Sequence, residues 1–224
     1  MATRITSEPP SFRDPDGRPV FAEAFEAGLR KRVATCEAAL EDAVWELAWF
    51  LSLVGRPAEA MACVSHLLAG TADPEKQADG FLALGQLLEQ QERYAEAAEV
   101  YARGLAILPQ GAPAGYLLHN NRGYCLNDLG RHAEAEAHCR TAIALNPIRH
   151  NAHKNLGLAL AGQGRFVEAA HCLVEADRRY PADPRARRHL AELLAGNPEI
   201  LETDPVLVAA CRDRGIRPGP AGRA

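Results

Sequence analysis

One pattern constrains this chain more than any other: a segment of 34 residues is followed at once by a second copy of itself. Laying Tyr116–Arg149 over His150–Asp183 puts Gly123 on Gly157, Leu126 on Leu160 and Gly130 on Gly164. Ala135 then falls on Ala169, Ala142 on Ala176 and Pro147 on Pro181. One step upstream, residues 78–111 carry Gly85, Leu88, Tyr94, Ala97, Tyr101 and Pro109 in the same places, followed by a four-residue insert at 112–115. A weaker copy at 41–74 has Leu47 and Ala48, then Leu51, Gly55, Ala60, Val64 and Pro74. A chain that repeats at this period grows by stacking one supersecondary unit on the next, because no unit alone buries its apolar face.

Each copy reads as two helices. In the first half, Leu84, Gly85 and Leu88 recur at helical spacing and share one face. Gly85 and Gly157 carry no side chain, which lets a neighbouring helix approach closely. Gly130 and Gly164 stop the first helix, where a residue with positive φ is needed. In the second half, Ala135, Cys139 and Ala142 form the stripe that returns against the first. Asn146-Pro147 and Tyr180-Pro181 end it, since proline disfavours helix in the residue before it.

This framework of Leu-Gly, Tyr, Ala and Pro, present three times at a 34-residue period, resembles the tetratricopeptide-repeat family. The resemblance implies an all-α fold: a right-handed solenoid of helix-turn-helix repeats with helical caps. It places four repeats at 41–74, 78–111, 116–149 and 150–183. Two departures stand out, Arg122 for the leucine before Gly123 and Gly104 where alanine is expected.

The ends read differently. Residues 1–19 have no basic-then-apolar signal pattern and read as a disordered leader, and 20–40 as an N-terminal capping helix. Residues 184–196 supply a polar terminal helix whose Leu190, Leu193 and Leu194 cover the last repeat. Asp204-Pro205 reads as an N-cap and first helical residue, opening a short helix through Arg212. The capping region therefore spans 184–214, and 215–224 is expected to be a flexible tail.

Composition narrows the function. The net charge of −4 argues against nucleic-acid binding, and no apolar run is long enough to insert in a membrane. The six cysteines, at 36, 63, 125, 139, 172 and 211, form no CxxC pair and read as reduced and mostly buried, with the cytoplasm as the expected compartment. His150 and His153, and the His138-Cys139 and His171-Cys172 dipeptides, invite a zinc reading, but zinc needs about four converging ligands. One residue of each dipeptide should face out and the other into the packing seam, so no metal and no cofactor are expected. No GxSxG, GxxxxGK[ST] or HExxH pattern occurs, and the chain does not read as an enzyme.

In tetratricopeptide arrays the first helix of each pair lines a concave groove, and the resemblance projects that face onto particular residues. These are Trp45 and Trp49, then Gln86, then Asn120, Asn121, Tyr124 and Asn127, then Lys154 and Asn155, and Arg188 on the cap. Asn121 and Asn155 are equivalent, and carboxamides offer donor and acceptor together, which suits an extended peptide backbone. Both are expected to face solvent. The family's carboxylate clamp is matched only by Asn121, because Leu82, Gln86, Asn151 and Asn155 occupy its other places. Asp42, Glu46, Asp79 and Glu89 gather toward the first repeats and Lys154, Arg185, Arg188 and His189 toward the cap. The expected function is a protein–protein interaction adaptor or scaffold holding a partner peptide or helix in the groove. Alternatives are a self-assembling homo-oligomeric scaffold and an accessory subunit of an enzyme complex.

Overall fold

Among the described residues four helices begin with proline, three of them behind an aspartate cap, and the first helices of the repeats stop at residues with left-handed backbone. The computed structural model describes residues 26–31, 40–109 and 111–216, and among them all regular structure is helical. The expected leader at 1–19 lies outside the described residues, as do most of the expected cap at 20–40 and the tail from residue 217.

Contacts divide the chain into two units at Thr71 and Ala72. In the first, residues 26–31 are helical and are followed by α1 (Leu40–Leu53) and α2 (Pro57–Gly70). Ala43, Val44, Leu47 and Leu51 of α1 are buried, as are Ala60 and Val64 of α2. Gly55 turns between the helices at φ 78°, which glycine adopts without strain. Arg56 then pairs with Glu59 and with Glu26. The weak fourth copy is thus a helical hairpin.

The second unit contains α3 (Pro74–Glu89), α4 (Tyr94–Ile107), α5 (Gly115–Asp128), α6 (His132–Leu145), α7 (His150–Gly162) and α8 (Phe166–Arg179). It ends with α9 (Pro184–Gly196), α10 (Glu199–Thr203) and α11 (Pro205–Asp213). The helices of each pair pack together, each second helix packs on the next first helix, and first helices meet their successors. That is a solenoid of stacked hairpins.

Each crossing is built around a glycine. A Cβ on Gly85 would lie 2.3 Å from the Tyr101 ring, one on Gly123 2.7 Å from Cys139 Sγ, and one on Gly157 2.8 Å from Leu173. No side chain fits there. Gly104, which departs from the repeat, has the same cause: a Cβ would come within 3.1 Å of Leu118 and Phe81. Gly130 and Gly164 turn at φ 71° and 77°, but the equivalent turn after α3 is made by Glu92 at φ 57°. Each second helix of the repeats is preceded by an arginine that pairs with a glutamate three residues on: Arg56–Glu59, Arg93–Glu96, Arg131–Glu134 and Arg165–Glu168. These pairs are exposed and screened by solvent, so they contribute little to stability. They mark the register more than they hold it.

The cap is larger than one helix. Leu173 and Ala170 of α8 share a core with Leu190 and Leu194 of α9, Ile200 of α10, Leu207 and Cys211 of α11, and Ile216. Ile216 lies inside the stretch expected to be a flexible tail from 215, so the packed cap runs past the expected boundary at 214. Asp177 of α8 is fully buried and pairs with Arg214 at 2.6 Å and Arg187 at 3.0 Å, tying the last described turn back to the repeats.

One of the two histidine–cysteine dipeptides departs from expectation. Cys139 is buried, but His138 does not face out: its Nδ1 lies 2.8 Å from Nδ1 of His119, both rings half-buried. One ring nitrogen must donate and the other accept, so the two rings cannot both be charged; burial pushes the His138 pKa down to about 4 and lowers that of His119 as well. His171 instead bonds Asp204, and His150 stacks on Tyr180 and reaches Asp183. Among the described residues no three His, Cys, Asp or Glu converge as a metal set.

Candidate binding groove

A groove of about 720 Å³ runs along the first helices of the second unit. Glu89 at the end of α3 opens it. Asn120, Asn121, Tyr124, Asn127 and Asp128 of α5 follow, then Lys154, Asn155 and Leu158 of α7, and Arg188 and His189 of α9 close it. Successive first helices repeat one orientation, so the positions before and after each glycine reach the same side. Of the ten residues projected from sequence, seven lie in this groove and three do not. Asn120, Asn121, Tyr124, Asn127, Lys154, Asn155 and Arg188 line the groove. Gln86 is exposed on α3 but is not among the lining residues. Trp45 and Trp49 sit on α1 in the first unit, the former half-buried and the latter 40% exposed.

The groove floor is a chain of hydrogen bonds with one direction. Asn155 Nδ2 donates to Asn120 Oδ1 at 3.1 Å, and Asn120 Nδ2 donates to Asn121 Oδ1 at 2.9 Å. Asn121 Nδ2 reaches the Tyr101 hydroxyl at 3.4 Å, and that hydroxyl donates to Glu89 Oε1 at 2.7 Å. Cys125 Sγ donates to the same carboxylate oxygen at 3.5 Å. Every donor along the floor points toward Glu89, and such chains polarise cooperatively. Burial raises the Glu89 pKa above its ordinary value and also raises those of Tyr101 and Cys125, which stay protonated and able to donate.

This corrects the expected ladder of free carboxamides. Asn155 is 2% exposed and Asn120 is buried with it, so neither waits in solvent for a ligand. Asn127 is also engaged, donating from Nδ2 to the Asn155 carbonyl at 2.8 Å. One amide valence remains at the head of the chain: Asn155 Oδ1 is buried and meets no donor among the described residues.

Lys154 stands beside it, 6% exposed, with no carboxylate in ion-pair range among the described residues. Its pKa is lowered, chiefly by burial and then by the charge of Arg185. Asp183 cannot neutralise it, because it accepts two short bonds from Arg185 and one from His150. Arg185 holds the Asp183 carboxyl well below the usual range. On the opposite wall, burial raises the Asp128 pKa.

Sequence reasoning missed Glu89 and Tyr101 as members of this site. Glu89 counted only as part of a charge cluster, and Tyr101 as a packing position. The available signal was the departure from the repeat: Tyr101 stands where the next copies have Cys139 and Leu173, and Glu89 where they have Asn127 and Ala161.

Two comparisons bear on this arrangement. Tetratricopeptide-repeat models match residues 54–112 and 154–200 in one case and 116–148 in another, together well over half of the chain. Among solved structures, MamA (residues 41 to the end) from Desulfovibrio magneticus RS-1 superimposes with a TM-score of 0.61 at 17% identity, covering 77% of this chain and 96% of that one. The Hsp90 co-chaperone Cns1 from Saccharomyces cerevisiae gives 0.54 at 20% identity, over 65% of this chain and 47% of that one. At these identities the likeness is one of fold. No curated protein matches the chain significantly by sequence.

Proposed function

The chain belongs to the tetratricopeptide-repeat family, and from that premise we propose that it is a non-catalytic interaction scaffold whose groove holds an extended segment of another protein. The observation that carries the reading is the floor itself: a rigid, directional amide chain under a cleft of about 720 Å³, ending in an acceptor with no donor. That acceptor is itself buried, so it costs the fold about 1–3 kcal/mol beneath the cleft, and the ligand is met by the side chains above it. Tyr124, edge-on to Tyr94 at 5.8 Å, adds apolar contact area on one wall, and Leu158 adds it on the other. A floor already held in place loses little further entropy on binding. Among the described residues no helix is long and apolar enough to cross a membrane.

The test is a photo-cross-linking amino acid at Leu158, in the groove, and at exposed Ala137 on α6 as the comparison, in cells that naturally make the protein. Cross-links from position 158 to one segment of another protein are expected, with none from position 137. Equal labelling, or labelling from 137 alone, would move the interaction off the groove. Cross-links from 158 to a second copy of this chain would favour self-assembly instead.

A further inference from the structure

The groove carries charges that the fold does not pair, and their order along it names the chemistry of the occupant. Lys154 is the clearest case. Burying an ammonium without a paired counter-charge is costly, yet among the described residues no carboxylate lies in ion-pair range of this one: Arg185 acts on it most strongly, and Asp183 and Asp128 attract it only from a distance. Arg188 lies along the same wall, its side chain 64% exposed and held only by Glu192 at 3.8 Å. The other end is the reverse. Glu89 accepts from Tyr101 and Cys125 but meets no cation in ion-pair range among the described residues, and Asp128, exposed at the end of α5, is held by Tyr124 and by no cation in ion-pair range there. Asp128 and Lys154 attract each other across the groove without forming a contact pair.

We infer that the groove reads charge order: it takes an extended protein segment with an acidic residue seated on Lys154 and Arg188 and a basic residue seated on Glu89 and Asp128. This rests on the groove being the binding site. The spacing follows from packing. Axes of packed helices such as α5 and α7 lie roughly 8–10 Å apart, and an extended chain advances about 3.3 Å per residue. Lys154 and Asp128 attract each other across one such step, so the two charged residues of the segment are about three positions apart there and farther apart for the Glu89–Lys154 step. Such complementarity sets orientation and encounter rate, and a segment with the order reversed meets like charge at both ends.

Synthetic peptides in an uncharged background test this directly, with one aspartate and one arginine about three positions apart, in both orders. Controls carry the same two residues adjacent, either one alone, or neither, and affinity is read by fluorescence anisotropy at low and high salt. One order should bind about tenfold tighter than the uncharged peptide or the adjacent pair, and the advantage should shrink in high salt. Lys154→Met keeps the side-chain length without the charge and should abolish the preference for aspartate; Lys154→Glu should invert it. A thermal melt verifies that both variants are folded. Affinity that follows total charge and ignores spacing, or a Lys154→Met protein that keeps the aspartate preference, overturns the inference. If the cross-linked segment from position 158 binds parent and Lys154→Met alike, the charge reading falls and the groove reading stands. Should position 158 label nothing and no peptide bind, both fall.

Discussion

The helix crossings and the groove floor are made by the same three helices, α3, α5 and α7, working on different sides. At the crossings, glycine faces a large and variable partner: Tyr101, Cys139 and Leu173 fill equivalent places opposite Gly85, Gly123 and Gly157. The repeat keeps the space constant and lets its contents vary. On the floor the reverse holds: the residues change from copy to copy, and their change is what makes the chain of bonds. Tyr101 belongs to both regions. Its ring fills a crossing, and its hydroxyl passes the amide chain on to Glu89. Constancy in this protein encodes shape, and departure from it encodes chemistry.

That distinction can be broken at either side. The largest effect is expected at a crossing: Ala169 is fully buried, and its carbonyl lies 3.1 Å from where a Gly157 Cβ would be. Ala169→Asp buries an unpaired charge there and should cost about 3 kcal/mol or more, read as a lower urea midpoint. A parent-like midpoint would mean the crossing is misplaced.

On the floor, Asn155→Ala should cost about 2 kcal/mol, because it removes donors to the Asn120 side chain and carbonyl inside a buried site. Free carboxamides facing solvent would have predicted almost no change in melting temperature, so the same measurement separates the two pictures. Tyr101→Phe sharpens the comparison within one residue. The ring still fills the crossing, while Glu89 loses a donor and Asn121 an acceptor, for about 1.5 kcal/mol. It also has a pH signature. Glu89 titrates above its ordinary 4.5 in the folded chain, so the fold binds the extra proton. Its contribution to stability is therefore greatest below about 4.5 and declines as pH rises through the folded value. The Tyr101 bond favours the carboxylate, so Tyr101→Phe should carry that decline to higher pH. A stability–pH curve unchanged in shape would show that the phenol does not act on Glu89.

The smallest effect tests a departure with no chemistry attached. Glu92 occupies a left-handed turn that glycine takes at Gly55, Gly130 and Gly164. Glu92→Gly should stabilise by about 1 kcal/mol. If it destabilises, Glu92 has a role that its backbone does not reveal.

The crossings and turns were legible in the sequence. Gly85 and Gly157 read as points of close approach, Gly130 and Gly164 as left-handed stops, and Asp204-Pro205 as a helix start, and the structure has each feature. The groove was legible only as a list of positions. Asn121 and Asn155 read as two free carboxamides, and the fold ties both of them to Asn120. His138 read as a surface residue, and it meets His119.

The sequence by itself determined the hairpins, the tight crossings and the turns. These depend on side-chain volume and backbone freedom at positions a few residues apart, which periodicity records. Tertiary structure alone decided which polar groups are spent and which remain for a ligand. A hydrogen-bond valence is filled by whatever converges on it, and here the partners are 12, 20 and 35 residues distant. Lys154 stays open because the stacking of α5, α7 and α9 brings arginines, and a carboxylate already committed to Arg185, to its side.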